Sequence, residues 1–216
     1  MRLLNFVKIY YGITKEKLMI LYKENRILVN DKLEKLTYKL NDNDIVKIDG
    51  KIITKFPFSY YLYNKPKGIL SMISDKKESY INQINVKNKL MVAGRLDKDS
   101  HGLMILTNDP DFINKISGMD STIQKEYIVT LYNPITDEFI NKMNEDIIIR
   151  NRLLKKVNIH AIDEYRFKII LSEGIYHQIR KMVIYSGNRV KDLNRIRIGD
   201  YEIKDLKENE IKEFKI

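Results

Sequence analysis

Two short apolar runs, residues 90–93 and 103–106, flank a polar stretch that begins with Gly94 and ends with Gly102. Each run has the length of a buried strand, so the sequence predicts two strands joined by a polar loop. Glycines at both ends permit a turn and the close approach of another chain. Five of the seven residues between these glycines are charged or titratable, and polar loops at strand tips often carry sites. Asp97, within this loop, is therefore either a residue that caps its own turn or a functional carboxylate.

The composition bounds the class of protein. A chain of 216 residues fits one large domain, or a small domain and a medium one. Its hydrophobic content of 44% is enough for a core, and 31% charged residues without low-complexity tracts argue against disorder. The absence of cysteine excludes disulfides and thiolate metal sites. No apolar stretch is long enough to span a bilayer and no secretion signal is visible, so the sequence predicts a cytoplasmic protein without a membrane partner.

The charge is unevenly distributed along the chain. Lys and Arg number 39 against 29 Asp and Glu, which gives a net charge of +10. Residues 1–59 contain 12 Lys and Arg against 7 Asp and Glu, so they carry +5, half of the excess. A basic excess favours binding to a polyanion such as nucleic acid, because each neutralised phosphate releases a counterion. The alternatives are a solvated basic face and a codon bias toward lysine.

The basic N-terminal region is predicted to be a small α/β domain over residues 1–55. Apolar spacing predicts a helix over 2–10, and Thr14 can cap a second helix over 15–24. Short strands at 27–29 and 45–48 follow, and residues 51–59, with Pro57, are predicted to be a linker. The cations along the helices that are candidates for RNA contact are Arg2, Lys8, Lys15, Lys17, Lys23 and Arg26.

Residues 60–216 alternate many strand-like runs with few helices, which predicts an α+β domain whose mixed, mainly antiparallel sheet is flanked by helices. Helices are predicted to begin at Pro110 after an Asp109 cap and at Asp137 after a Thr136 cap. A further helix is predicted over 175–185, closed by Gly187. The predicted strands are 60–63, 90–93, 103–106, 125–131, 147–149, 153–162, 165–171, 196–198 and 201–203.

Two other stretches contain candidate functional residues. In Lys125-x-Tyr127-x-Val129, strand alternation places the three side chains on one face. In residues 173–182, Glu-Gly-Ile-Tyr-His-Gln-Ile-Arg-Lys-Met, helical spacing predicts a buried stripe that includes Ile179. On the same helix His177 and Lys181 are predicted to point away from the core, and Arg180 to lie at the edge of the stripe.

Together these stretches resemble the RsuA-like branch of pseudouridine synthases. The resemblance rests on the Gly-Arg-Leu-Asp run ending at Asp97, the Asn-Lys-Pro-x-Gly turn at 64–68, the strand at 125–129 and the motif at 173–182, supported by residues 187–190 and 195–199. Residues 1–55 resemble the RNA-binding domain named after ribosomal protein S-four. The chain departs from the family pattern at a few positions, none of which is a candidate catalytic residue: Ser100, His101, Pro110, Ile175 and Asn209.

The resemblance implies isomerisation of a specific uridine to pseudouridine in ribosomal RNA. Nothing is added or removed in that reaction, so no cofactor is expected. The resemblance assigns the catalytic carboxylate to Asp97, its cationic partner to Arg180, and a base-holding or proton-handling role to Tyr127. The three histidines lack metal-ligand spacing, so no metal site is expected. Further candidates for RNA contact in the catalytic domain are Lys65, Arg95, His177, Gln178, Lys181 and Arg189.

Three alternatives remain open. The Tyr176-His177-Gln178 triplet resembles the small-subunit (16S) rRNA enzymes, whereas a large-subunit (23S) enzyme is the alternative within the family. A non-catalytic RNA-binding assembly factor would keep the fold without the reaction. A glycosidase using Asp97 and Asp99 is disfavoured, because carboxylates two residues apart are poorly placed on opposite sides of a sugar. The protein is expected to act as a monomer on rRNA, within an assembling particle.

Overall fold

The computed structural model describes residues 1–71, 90–149 and 151–216. It divides into two compact units, Met1–Phe58 and Ser59–Ile216. The division lies inside the segment 51–59 that was predicted to be a linker. That prediction was wrong for its first two residues, because Lys51–Ile52 pairs with a neighbouring strand.

The first unit packs two helices against a three-stranded antiparallel sheet with its own apolar core. Thr14 caps the second helix as predicted, since its Oγ1 accepts a hydrogen bond from the Lys17 N–H at 3.3 Å. Leu3, Phe6 and Leu18 are buried on the inner helix faces. The elements are α1 (Leu3–Tyr10), α2 (Lys15–Lys23), β1 (Ile27–Val29), β2 (Val46–Ile48) and β3 (Lys51–Ile52).

The second unit is built on a large mixed sheet. The strands of the unit are β4 (Tyr60–Lys65), β5 (Met91–Ala93), β6 (His101–Thr107), β7 (Lys125–Leu131), β8 (Ile148–Ile149), β9 (Arg152–Leu153), β10 (Ile159–Ala161), β11 (Arg166–Leu171), β12 (Val190–Ile198), β13 (Tyr201–Glu202) and β14 (Ile211–Phe214). Of these, β8 and β9 form a separate two-stranded sheet. Its helices are α3 (Pro110–Ser117), α4 (Asp137–Asn144) and α5 (Gln178–Tyr185).

The main sheet has the order β10-β11-β7-β12-β6-β4-β14, with β13 paired to β12 and β5 to β6. Among the strands of the described ranges, β12 and β6 form the one parallel pair, and the other pairs are antiparallel. The predicted α+β class with a mixed, mainly antiparallel sheet is therefore confirmed. The central position of β12 and β6 brings two distant parts of the sequence together beneath the Asp97 loop.

The helix caps of the second unit are local and agree with prediction. Asp109 Oδ1 accepts from the Asp111 and Phe112 N–H groups, and Pro110 occupies the first helical position. Thr136 Oγ1 accepts from the Phe139 N–H at 3.2 Å. No helix in the described part of the chain is both long enough and apolar enough to cross a bilayer.

Several predicted elements were wrong in their bounds, and the strand predicted at 196–198 is in fact β12, which begins at Val190. The predicted strand over 153–162 is divided into β9 and β10, because β9 pairs only with β8 in a separate hairpin. The predicted helix over 175–185 begins only at Gln178. His177 precedes it with φ of 56°, a left-handed conformation that a helix interior does not allow.

Candidate active site

The Asp97 loop, residues 94–100, connects β5 to β6, and buried polar side chains hold its backbone. Ser71 Oγ donates to the Leu96 carbonyl at 2.6 Å and accepts from the Leu96 N–H at 3.0 Å. Leu96 itself packs into the main apolar cluster of the unit. The Ser100 N–H closes the turn by donating to the Asp97 carbonyl at 3.1 Å. The loop is therefore a rigid support for Asp97.

Lys65 also supports the backbone of this loop. Its Nζ donates to the carbonyls of Ser100 at 2.7 Å, Pro66 at 2.8 Å and Lys98 at 3.3 Å. The side chain is completely buried, so it offers no exposed surface for the RNA contact that the sequence predicted. Burial lowers the pKa of Lys65 to about 8, against the opposing influence of the carboxylates of Asp97 and Asp99.

The Asp97 carboxylate lies between two cation-forming side chains from the start of α5. His177 Nε2 is 3.3 Å from Oδ1, and Arg180 Nε is 3.9 Å from Oδ2. The Asp97 side chain is 35% exposed, so it remains accessible to a substrate. The predicted pairing of Asp97 with Arg180 is present at ion-pair distance.

His177 was missed as a contact of Asp97. Helical spacing predicted that it points away from the core, but its left-handed backbone turns the imidazole toward the carboxylate. The ring also stacks on Tyr176, with centroids 3.9 Å apart and planes 18° from parallel. In the sequence, only Gly174 could have indicated this geometry, because a glycine at that position favours an irregular start to the helix.

The segment before α5 is held in its irregular shape by a buried amide. Gln178 Nε2 donates to Glu173 Oε1 at 2.7 Å, and its Oε1 accepts from the Ile175 N–H at 3.3 Å. Glu173 also accepts from the Lys155 N–H at 3.1 Å. Gln178 is only 4% exposed, so little of it is available for the RNA contact that the sequence predicted. Its role is to shape the turn that presents His177.

Tyr127 lies on β7, where the predicted alternation is confirmed by the burial of Lys125, Tyr127 and Val129. Tyr127 is 9% exposed and belongs to the same apolar cluster as Leu96 and Ile179. The ring therefore contributes to the same core that supports the Asp97 loop and α5. Its role in holding a base stays a prediction.

The remaining candidates for RNA contact differ in their exposure and in whether other groups of the protein already bond them. Arg26 makes a bidentate pair with Asp49 at 2.6 and 2.7 Å and also bonds Glu24, so its charge is largely compensated. Lys181 is half-buried and donates to the Tyr176 carbonyl at 2.6 Å. Besides Arg26, the exposed members of the predicted set are Arg2, Lys8, Lys15, Lys17, Lys23, Arg95 and Arg189.

A second charged group, which sequence reasoning did not connect, lies at the base of β6. His101 Nε2 lies 3.0 and 3.1 Å from the two oxygens of Asp192 on β12, and Lys67 pairs with the same carboxylate. The hydrogen bonds from His101 and Lys67 keep the pKa of Asp192 below its usual value, although burial opposes them. This pairing depends on the parallel alignment of β12 and β6, which is invisible in local patterns.

The arrangement suits chemistry that uses one carboxylate. Asp97 is accessible, flanked by nitrogen donors and mounted on a rigid loop, so it can act as nucleophile or base toward a bound ring or sugar. No group of three or more acidic or histidine side chains gathers as a metal site in the ranges that the structure describes.

Comparison with known proteins decides the family. The family model described as RNA pseudouridylate synthase matches residues 59–185, which include Asp97, Tyr127 and Arg180. The chain belongs to this family. The predicted resemblance to pseudouridine synthases is therefore confirmed, whereas the S-four-like identity of residues 1–55 stays a prediction.

Relatives of this pseudouridylate synthase chain differ in coverage. It is 34% identical to the Dual-specificity RNA pseudouridine synthase RluF of Shigella flexneri over 85% of this chain, but it spans only 65% of that relative. It is 29% identical to Ribosomal small subunit pseudouridine synthase A of Yersinia pestis, over 95% of this chain and 90% of the relative. A crystal structure of a pseudouridylate synthase has a TM-score of 0.70 and 27% identity, covering 100% of this chain and 96% of the other.

Proposed function

We propose that the protein converts a specific uridine to pseudouridine in small-subunit (16S) ribosomal RNA, with Asp97 as the catalytic carboxylate. The observation that carries the proposal is the accessible Asp97 side chain between His177 and Arg180, on a rigid loop, in a member of the pseudouridylate synthase family. The near full-length similarity to Ribosomal small subunit pseudouridine synthase A supports the choice of small-subunit rRNA.

The reaction breaks the bond between ribose carbon 1′ and ring nitrogen 1, turns the base, and forms a bond from carbon 1′ to ring carbon 5. The proton on ring carbon 5 is released and ring nitrogen 1 gains one, so atoms balance without a cofactor. Asp97 acts as nucleophile or base in this sequence. Arg180 supplies positive charge beside it, and Tyr127 holds the base that has left its stack.

RNA binding in this proposal uses cations from both units. Exposed Lys and Arg side chains neutralise phosphates, and this contribution does not depend on the sequence of the RNA. The protein acts as a monomer in the cytoplasm on rRNA within an assembling particle. A second substrate, large-subunit rRNA or another RNA, is favoured by the higher identity to RluF, whose name states dual specificity.

The reaction is tested by release of tritium from rRNA that carries uracil labelled at ring carbon 5. We expect Asp97→Asn to abolish release while RNA binding stays near that of the wild type. Asp99→Asn is the matched control, because Asp99 is an exposed carboxylate of the same loop and should be dispensable. If Asp97→Asn retains activity within about tenfold of the wild type, about 1.4 kcal/mol of barrier, the assignment of Asp97 is wrong.

The choice of substrate is tested in cells. Pseudouridines are mapped in both rRNAs from cells with and without the gene. Loss of one site in small-subunit rRNA supports the proposal, and loss confined to large-subunit rRNA favours the alternative. Unchanged maps, combined with no tritium release by the purified wild-type protein on either rRNA, would leave the assembly-factor interpretation.

A further inference from the structure

One edge of β6 is shared between two strands. Along its other edge β6 pairs continuously with β4. On the shared edge, β12 pairs with His101 and Gly102, whereas β5 pairs with residues 105–107. Residues 103 and 104 lie between these two partners. The Asp97 loop leaves the sheet at this gap, because it connects the end of β5 to the start of β6.

Arg195 of β12 is only 1% exposed, and its buried guanidinium fills the gap. Its Nε donates to the Leu103 carbonyl at 2.8 Å. Its Nη2 donates to the Gly94 carbonyl at 2.9 Å, and its Nη1 to the Arg95 carbonyl at 3.4 Å. A planar guanidinium fixes the directions of its donors, so one side chain orients both ends of the loop relative to each other.

The two glycines that border the loop face the same arginine. At Gly102, φ is +105°, and a Cβ would lie 2.4 Å from the Arg195 carbonyl oxygen and 2.8 Å from its nitrogen. At Gly94 a Cβ would lie 3.8 Å from Nη1. The sequence predicted that these two glycines permit the close approach of another chain. In the structure, the segment that approaches them is β12 at Arg195.

Burial of the Arg195 charge in the core is energetically unfavourable. The hydrogen bonds of its guanidinium within the described ranges all go to carbonyl oxygens, and no carboxylate pairs with it there. Apolar side chains often replace buried charged groups without loss of stability, so packing alone does not explain an arginine. Its contacts do, because each of the three carbonyls lies in or beside the loop that presents Asp97.

We propose that Arg195 is a positioning residue: it holds the backbone of the Asp97 loop so that the Asp97 carboxylate has the position that the reaction requires. The carbonyl of Arg95 lies two residues before Asp97, and Leu96 between them is fixed by Ser71, so a shift of the loop backbone moves the carboxylate relative to His177 and Arg180. A misplacement of about 1 Å can lower a rate about 100-fold. The inference rests on the proposed function, because it assigns a role within that reaction.

The test uses Arg195→Lys, which keeps the charge but loses the fork, and Arg195→Gln, which avoids an unpaired buried cation. Arg197→Lys is the matched control, since Arg197 is on the same strand and bonds Glu126 and the Gly199 carbonyl rather than the loop. The measurements are the single-turnover rate of tritium release at saturating rRNA, the Kd for rRNA, and thermal unfolding, all on the full-length protein.

We expect both Arg195 variants to be folded at the assay temperature, with rates at least tenfold below the wild type and Kd values within about threefold. Arg197→Lys should keep its rate within about twofold. Rates equal to the wild type in folded Arg195 variants would overturn the inference. Failure of both variants to fold at 10 °C would overturn it too, because Arg195 would then serve folding alone. An inactive wild-type protein would instead contradict the proposed function.

Discussion

The Arg180 guanidinium lies closer to the Ser100 hydroxyl than to the Asp97 carboxylate. Its Nη2 donates to Ser100 Oγ at 3.2 Å, whereas its Nε lies 3.9 Å from the Asp97 carboxylate. Ser100 is completely buried at the end of the Asp97 loop. Arg180 therefore joins the start of α5 to the loop through Ser100, and it provides charge to Asp97 without covering it.

Replacing Arg180 tests this double role. We expect Arg180→Met to lower the single-turnover rate at least tenfold, because positive charge beside Asp97 is lost. It should lower the free energy of unfolding by only about 1–2 kcal/mol, since the Arg180 side chain is 24% exposed and the loss is mainly the hydrogen bond to Ser100. Tritium release and urea unfolding measure the two effects.

Lys181→Met provides the control for Arg180→Met. Lys181 is the next residue of α5, and its Nζ bonds the Tyr176 carbonyl rather than the Asp97 loop. We expect this variant to keep the rate at saturating rRNA. Normal turnover and unchanged unfolding in Arg180→Met would show that Arg180 is only a surface cation.

Lys65 should make stability depend on pH in the alkaline range. Burial lowers its pKa from 10.5 to about 8 in the folded protein. Between these values the unfolded chain still binds the proton that the folded protein has released, so stability rises with pH. We expect the free energy of unfolding of the wild type, minus that of Lys65→Met, to increase between about pH 8 and pH 10.5. Urea titrations at pH 7.5 and 9.5 measure it, and a constant difference would contradict the expectation.

Gly102 should tolerate no side chain. A Cβ there would meet the backbone of Arg195 at 2.4 Å, and the positive φ disfavours any L residue. We expect Gly102→Ala to lower the free energy of unfolding by about 2 kcal/mol or more. Gly174→Ala is the control, because nothing lies within 4 Å of a Cβ at that position. Equal melting temperatures for the two variants would show that β12 can move away from Gly102.

Local features of this fold were predictable from sequence, because local residues determine them. The caps at Thr14, Asp109 and Thr136 need only a side chain and the next three residues. The alternation of β7 needs only a buried face. The apolar runs on either side of Asp97 also predicted the loop that joins β5 to β6, and the role of Asp97 as catalytic carboxylate stays a prediction.

The remaining features depend on contacts between distant residues. The strand β14 escaped prediction because it is stabilised by pairing with β4, for example Ile211 with Tyr63. Helical spacing placed His177 wrongly because Glu173 and Gln178 hold the preceding segment in a non-helical shape. Lys65 was assigned to RNA because nothing near it in sequence reveals that its amino group reaches three carbonyls in the core.

The basic helices of the first unit should contribute measurably to RNA binding. Lys17 and Lys23 lie on α2 and are exposed, and no carboxylate pairs with either within the described residues. Arg26 is also exposed, but Asp49 and Glu24 already compensate its charge. We therefore expect the double variant Lys17→Gln, Lys23→Gln to weaken rRNA binding and to flatten its salt dependence, whereas Arg26→Gln should change the slope less.

Binding isotherms of the full-length variants at several salt concentrations measure that difference. Each lost phosphate contact should reduce the slope of log affinity against log salt by roughly 0.7 to 0.9, depending on how duplex-like the site is. The single-turnover rate at saturating rRNA should stay unchanged, because the lysines are not part of the Asp97 site. A wild-type slope in the double variant would mean that α2 is a solvated basic face. The residues of the second unit would then supply the phosphate contacts that bind this protein to its RNA.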